Sequence, residues 1–343
     1  MIPKKNLLEI KEHLDKSENP LIFFDSDPDG LCSYLLFKRY LGRGKGIPCE
    51  RSKDLIFYLN KVKEFSPDRI FVLDIFDVSQ EFIDSVNVPI IWIDHHPVIK
   101  RKGIKHFNPR NFSKTDIKPT SYICYKTVNQ DMWISMVGCV ADWFIPEFAK
   151  EFAKQYPGIY DEKIKDPAKA FHSKGLGELI KIFVFILKTT YADVIKNISI
   201  LSKVESPYEI LNQETPRGKY IYKTALKNGR YYDVLLKEAL TIRPEGKLYL
   251  FIYPKGNVSY RSHLSNRILY KYKNKFIIIG TEDDKWVKMS MRSAKFKVLP
   301  TLKKALKDVS GYGGGHTYAC GSAVAKEDFP KFIASIKREL NRK

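Results

Sequence analysis

The sequence predicts an α/β protein in which a parallel-sheet domain is joined by a helical linker to a smaller mixed α/β domain. Three observations carry this expectation. The first 145 residues alternate short apolar runs with helical patterns, residues 146–240 read as helix broken by prolines, and from about residue 247 the pattern turns to strands. A chain of 343 residues exceeds one core of ordinary size, so two domains are expected, at 1–200 and 241–343, with a helical linker region at 201–240.

The elements follow in order. Lys4, Lys5, Glu9 and Glu12 punctuate an apolar periodicity that predicts an amphipathic first helix rather than a signal peptide. Residues 21–24, 70–73 and 90–93 are short apolar runs separated by helical stretches, as parallel strands of a βαβ arrangement are. Each ends directly in acidic or histidine residues, and open α/β sheets collect their sites outside the carboxyl ends of the strands. Pro157, Pro167, Pro207 and Pro216 interrupt the helical middle, and residues 206–229 are the expected connection between domains. Strands are then expected at 248–253, 276–279 and 285–291, followed by a short helix at 302–307. A glycine-rich turn, a strand near 320–325 and a terminal helix complete the chain, which shows no internal repeat.

Composition narrows the class. Apolar residues make up 44%, enough for real cores, and the longest apolar run, 182–187, is far too short to span a bilayer. Cys32, Cys49, Cys124, Cys139 and Cys320 are odd in number, scattered and never spaced C-x-x-C. That pattern predicts reduced, mostly buried thiols in a cytoplasmic protein without a disulfide framework or zinc site. The net charge is +20, and residues 241–343 hold 22 Lys and Arg against 8 Asp and Glu, so this segment alone supplies +14. Such concentration reads as a footprint for a polyanion. Tyr249, Tyr253, Tyr260, Tyr270, Tyr272 and Trp286 lie in the same segment and offer faces for stacking on bases, although most tyrosines in strands simply pack.

Asp25, Asp27 and Asp29 fall on alternate residues where a strand gives way to a loop. Period two predicts that they share one side, with Gly30 turning the backbone into the next helix. Three carboxylates this close repel unless a cation lies between them. An EF-hand needs a glutamate twelve places from the first ligand and flanking helices. Position 36 is Leu and the segment follows a strand, so that reading fails. Asp94-His95-His96 after the third run is the second strong signal. Asp74 ends another run, Asp77 reads as a helix N-cap, and Asp142 follows an apolar stretch toward the same place.

The segments DSDPDG (25–30), VLD (72–74), IDHH (93–96) and GCVAD (138–142) resemble, in order and spacing, the four motifs of the DHH phosphoesterase superfamily. GYGGGH (311–316) resembles the GGGH signature of the DHH-associated C-terminal domain, and SMRS (290–293) the arginine-bearing strand before it. The resemblance implies two manganese ions, with magnesium as the substitute, in a cleft between the domains. It implies Asp25 and Asp27 as ligands of one ion, Asp29, His95 and Asp142 of the other, and Asp74 as the bridge. His96 matches the second histidine, near the reacting oxygen, so His96 and Asp74 are the expected catalytic residues. Phe23 stands where some branches carry a histidine, which makes the pattern RecJ-like, with Asp25 in compensation. Substrate contacts are implied for Arg292, Ser293, Gly313, Gly314, Gly315 and His316. Oxygen ligands with one imidazole independently favour manganese or magnesium over zinc.

The expected activity is hydrolysis of single-stranded RNA or DNA, short oligonucleotides above all, by a water activated between two metals. Filled ligand positions argue against the scaffold relatives of the replication fork, and the GGGH domain argues against the inorganic pyrophosphatase branch. Cyclic di-AMP or another cyclic dinucleotide is the alternative substrate. A replication-associated binding module with weak nuclease activity is the alternative class. Replication or repair proteins and a second copy of the chain are the further partners considered, and no membrane is expected. Arg110 and Tyr122 lie where they could meet substrate, with packing the expected role for Tyr122.

Overall fold

The structure is a computed structural model that describes residues 2–50, 53–256 and 258–342. The chain divides into two compact units, residues 1–226 and 227–343.

The first unit begins with α1 (Lys4–Asp15), β1 (Pro20–Asp25), α2 (Pro28–Leu41), β2 (Lys45–Cys49), α3 (Leu55–Phe65), β3 (Arg69–Leu73), α4 (Gln80–Asp84), β4 (Ile90–Ile93) and β5 (Lys105–Phe107). The five strands form one parallel sheet in the order β2-β1-β3-β4-β5. Alternation sets its two faces. Leu21 and Phe23 point to the side of α3 and α4, with Ile47, Val72 and Trp92. Phe24 turns to the other side and stacks on Tyr34 of α2 at 4.7 Å, while Phe37 of α2 meets Phe71 at 5.9 Å. Each large side chain so buried contributes roughly 1.5–3 kcal/mol relative to exposure. Both faces are covered, which is why the strands read as continuous apolar runs.

Next come α5 (Thr120–Val128) and α6 (Met132–Ala141), which pack on α2, where Gly138 lets the backbones close. A Cβ there would stand 2.5 Å from Ser121 Oγ and 2.8 Å from Cys32 Cβ. The helical middle is α7 (Ala149–Gln155), α8 (Pro167–Phe171), α9 (Leu176–Ile186), α10 (Tyr191–Leu201), α11 (Pro207–Leu211) and α12 (Pro216–Thr241). Pro167, Pro207 and Pro216 each begin a helix rather than merely breaking one, as their fixed φ allows. The long α12 runs across the division at residues 226 and 227.

The second unit continues with β6 (Leu248–Pro254), α13 (Arg261–Lys271), β7 (Phe276–Glu282), β8 (Trp286–Arg292), α14 (Val298–Ala305), β9 (Gly311–His316), β10 (Ala319–Ala325) and α15 (Phe329–Asn341). Its sheet order is β6-β7-β8-β10-β9, parallel between β6 and β7 and antiparallel elsewhere. Phe276, Ile278, Met289, Met291 and Val324 face Leu302, Phe332 and Ile336 of α14 and α15.

Four local expectations change. The glycine run is strand β9, paired with β10, not a turn. The strands β2, an edge carrying Pro48, and β5, three residues long, gave too little pattern to read. Tyr249, Tyr253 and Tyr260 are buried, and their hydroxyls bond Ala239 O, the Tyr260 N–H and Asn228 O, so they pack rather than stack on bases. The short helix lies a turn earlier than expected, at Val298–Ala305. The five cysteines are free, and all but Cys49 are buried. Among the described residues no helix is long and apolar enough to cross a membrane.

Candidate metal centre

In the first sheet β2 follows β1 on one side and β3 on the other, so the chain reverses its direction of winding between β1 and β3. Open α/β sheets bind ligands outside the carboxyl ends of the strands at such a point. Asp25 ends β1 and Asp74 follows β3.

The three aspartates of the first motif do not share one side by strand period. Only Asp25 is on the strand; Asp27 is the N-cap of α2 and accepts from the Gly30 N–H at 2.9 Å, and Asp29 lies in the first helical turn. Gly30 is required because its Cβ would stand 2.4 Å from the Asp25 carbonyl oxygen. Asp29 is 2% exposed and is clamped by the start of α5, where helix amides lack intrahelical partners. Its Oδ2 accepts from the Thr120 N–H at 2.8 Å, and its Oδ1 from the Ser121 N–H at 3.0 Å and from the Ser121 hydroxyl. With two lone pairs per oxygen, Oδ2 keeps one for a metal.

Asp74, also 2% exposed, adopts a left-handed backbone with φ 61°, which aspartate tolerates better than most residues. Its Oδ1 accepts from Thr120 Oγ1 at 3.0 Å and lies 3.4 Å from His95 Nε2. Asp142, the C-cap of α6, brings Oδ2 to 3.5 Å from the same nitrogen. His95 Nδ1 is 3.3 Å from Ile117 O, a bond that puts the proton on Nδ1 and leaves the Nε2 lone pair outward. Arg110 Nε donates to the His95 carbonyl at 2.8 Å, and the Tyr122 hydroxyl is taken up by Glu147 at 2.7 Å. The structure thus gathers Asp29, His95 and Asp142 in one group and Asp74, His95 and His96 in another, with ligand atoms within 4.8 Å of one another. Asp25 and Asp27 stand outside both groups.

Asp94 is fully buried and takes His96 Nδ1 at 2.7 Å, the His96 N–H at 3.1 Å and Asn108 Nδ2 at 3.2 Å, which fixes the His96 ring. Asp77 is not a cap: Ser79 caps α4, and Asp77 pairs with Arg101 at 2.7 Å.

Burial and like charge act together on this cluster. Burial pushes the Asp74 carboxyl well up, and the charges acting on it, those of Asp29, Asp27, Asp25 and Asp142, all push the same way. Burial raises Asp142 well up too, helped by Asp29 and Asp27. Asp29 is raised by burial against the pull of His95 and the Ser121 bonds. Burial lowers His95. Burial also works against a charged His96, but the Asp94 bond and charge, with Asp25 and Asp27, outweigh it and raise that ring. A divalent cation removes the repulsion, and its ligands in an octahedron lie about 3 Å apart. Carboxylates outnumber imidazoles in the two groups taken together, a donor set that suits manganese or magnesium.

In the second unit Arg292, Ala319 and His316 occupy one row across β8, β10 and β9, on one face of the sheet. Two strand spacings separate the ends of that row by about 10 Å. The Arg292 guanidinium is already engaged with Asn266, Ser262 and the Met291 and Cys320 carbonyls. Ser293 is buried, donates to Lys275 O at 3.0 Å and accepts from the Lys295 and Phe296 amides. Gly315 has φ 140°, and a Cβ there would meet Ala319 O at 2.4 Å; at Gly313 it would meet Gly321 O at 2.8 Å, and at Gly314 it would find open space. The strand bearing them is exposed.

Three features escaped the sequence. Thr120 and Ser121 hold Asp29, signalled only by Pro119 before a helix start. Lys188, just past α9, is pulled down by burial while Asp27, Asp25 and Glu50 act to hold its charge. Phe76, two residues after Asp74, is 50% exposed, with its ring edge-to-face on His96 at 5.8 Å.

Comparison with known proteins identifies both domains. The family models described as "DHH family, N-terminal domain" and "DHHA1 domain" match residues 20–145 and 248–342. The fold is similar to that of RecJ from Thermus thermophilus in complex with Mn2+, with a TM-score of 0.72 at 14% identity over 100% of this chain and 56% of that one. This chain therefore spans little more than half the length of that RecJ. It is also similar to an exonuclease RecJ bound to manganese, with a TM-score of 0.63 at 17% identity over 99% and 96% of the two chains. A pGpG-specific phosphodiesterase, PggH from Vibrio cholerae, matches with a TM-score of 0.54 at 12% identity over 95% and 99%. No curated protein sequence matches. By its two matched regions, the chain carries a DHH-family N-terminal domain at residues 20–145 and a DHHA1 domain at residues 248–342.

Proposed function

We propose that the chain is a manganese- or magnesium-dependent phosphodiesterase that shortens single-stranded RNA or DNA, with oligonucleotides of a few residues as its best substrates. The observation that carries this reading is the convergence of Asp29, Asp74 and Asp142 on His95 Nε2 from four separate segments. In this reading Asp29, His95 and Asp142 would hold one ion, and Asp25 and Asp27, together with Asp74, would hold a second. The ions, when bound, supply an activated water and neutralise charge on the phosphoryl oxygens. His96, its Nδ1 held by Asp94, presents Nε2 to the leaving oxygen and hands it a proton.

The +14 carried by residues 241–343 supports a substrate with several phosphates, since affinity from Lys and Arg grows with each phosphate neutralised. As an edge strand, β9 directs alternate N–H groups away from β10, and the small glycines let a phosphate approach them, with Arg292 and His316 in the row beside. Near full-length likeness to a phosphodiesterase described as pGpG-specific favours a second reading, a dinucleotide substrate, within the same chemistry.

The deciding experiment compares single-stranded RNA and DNA of two to about twenty nucleotides, cyclic di-AMP and a duplex, with Mn2+ and with EDTA. Metal-dependent shortening of the linear strands is expected, with the duplex and the cyclic compound spared. Preferential opening of cyclic di-AMP would overturn the substrate assignment, and turnover undiminished by EDTA would overturn the metal.

A further inference from the structure

A hollow of about 550 Å³ opens within the first unit beside the metal centre, over the carboxyl ends of β2, β1 and β3. None of the site residues considered so far explains it. Its floor is apolar, formed by Phe23, Val72, Val78 and Phe82 from the core under α3 and α4. Phe23 meets Phe82 and Tyr58 edge-to-face at 5.7 Å each, so the floor is a rigid aromatic set. Tyr58 is tied at its hydroxyl, which accepts from the Glu50 N–H at 3.0 Å and donates to Glu50 O at 3.1 Å. On the side toward the reacting centre the lining includes Asp25 and Phe76, and the Phe76 ring touches His96.

The rim decides what can enter. Among the described residues Asp25, Glu50, Asp54 and Asp77 line it together with Lys53, whose ammonium lies over the Phe57 ring at 5.0 Å, and Asp77 is paired with Arg101 at 2.7 Å. The carboxylates of the rim offer acceptors to the N–H and NH2 groups of a base. The volume is within the range of small-molecule sites, and the lining, aromatic with a few polar acceptors, is of the kind that takes a flat heterocycle with N–H donors. Phe76 is half exposed at the mouth, where an apolar ring gains from being covered.

We propose that this hollow holds the base of the nucleotide whose phosphate is at the metal centre, with Phe76 as the stacking platform. The proposal rests on the phosphodiesterase reading and deepens it: one base is gripped by the DHH domain itself, so the enzyme measures a nucleoside and not only a phosphate. Sequence-tolerant stacking is suited to this, since every base has a π-face.

The test is calorimetric titration of the whole protein, with Mg2+, using GMP, UMP and ribose 5-phosphate. Both nucleotides are expected to bind at least about tenfold more tightly than the baseless sugar phosphate. Phe76→Ala brings that ratio to about one, and Phe76→Tyr, which keeps a ring, preserves it. Equal affinity of the three compounds, no binding of GMP, or a ratio unchanged in Phe76→Ala overturns the proposal. Turnover of bis(p-nitrophenyl) phosphate, an ester without a base, separates this from the activity itself. Hydrolysis of that ester with no preference for nucleotides removes the base pocket alone. A nucleotide preference without any hydrolysis removes the phosphodiesterase reading alone.

Discussion

Both units are built on five-stranded sheets, and they use their strands differently. In the first, the candidate ligands sit just beyond the strand ends: Asp74 and His95 follow β3 and β4 and Asp29 starts α2, and although the Asp74 N–H still donates to Ile93 O at 2.9 Å, their side chains stand clear of the parallel ladder. In the second, the matched residues lie within or directly against the antiparallel ladder. Arg292 and His316 face Ala319 across it, Gly313 and Gly315 make room for β10, and Ser293 closes a turn. The first unit can thus lose a functional side chain and keep its architecture, whereas the second cannot change its glycines without disturbing the sheet.

Asp74→Ala tests the first half of that contrast. It is expected to lower kcat by at least about 10³-fold, because in the proposed two-metal centre Asp74 would stabilise charge on both sides of the reaction. The melting temperature of the metal-free variant stays level or rises, since a buried, repelled carboxylate has gone. Near-normal turnover would sink the two-metal assignment. Arg292→Ala and His316→Ala sharpen the second half. Each is expected to raise KM by about tenfold with a smaller change in kcat, the pattern of a grip on substrate that is equal in ground and transition states. Unchanged kinetics in both removes the second unit from the site. Gly315→Ala is expected to destabilise by about 1–3 kcal/mol in denaturant melts, through a strained φ and a contact with Ala319 O. A silent substitution there breaks the contrast.

The smallest effect is on the pH dependence of melting. Asp29, Asp74 and Asp142 have folded-state values above their unfolded ones, so their contribution is fully present below the ordinary carboxylate range and is lost as pH rises through the folded values. A metal replaces those protons. The rise in melting temperature on adding Mn2+ is therefore expected to grow with pH across that interval, by a few degrees at the top. A shift independent of pH would mean that the ion binds elsewhere.

Much of the first unit was legible because parallel strands covered on both faces leave uninterrupted apolar runs, and the acidic residues stand directly after them. The convergence on His95 followed from that placement. The periodic argument for Asp25, Asp27 and Asp29 failed because the strand ends at Asp25 and a helix begins three residues later. The glycine run of β9 hid its strand, since glycine carries no period-two pattern and only pairing with β10 reveals it. Lys188, Phe76 and the clamp at residues 120–121 depend on contacts distant in sequence, for which a single chain gives no local signal.

The clamp on Asp29 also bears on how the protein is made. The carboxylate at position 29 is oriented by amides at 120 and 121, and the centre needs position 142 to close. During synthesis, then, the acidic segment leaves the ribosome more than a hundred residues before its last partner. The proposed centre could not hold an ion with its full ligand set until that partner has emerged and folded back, so cation capture there would be a late event that reports on completed packing of the first unit.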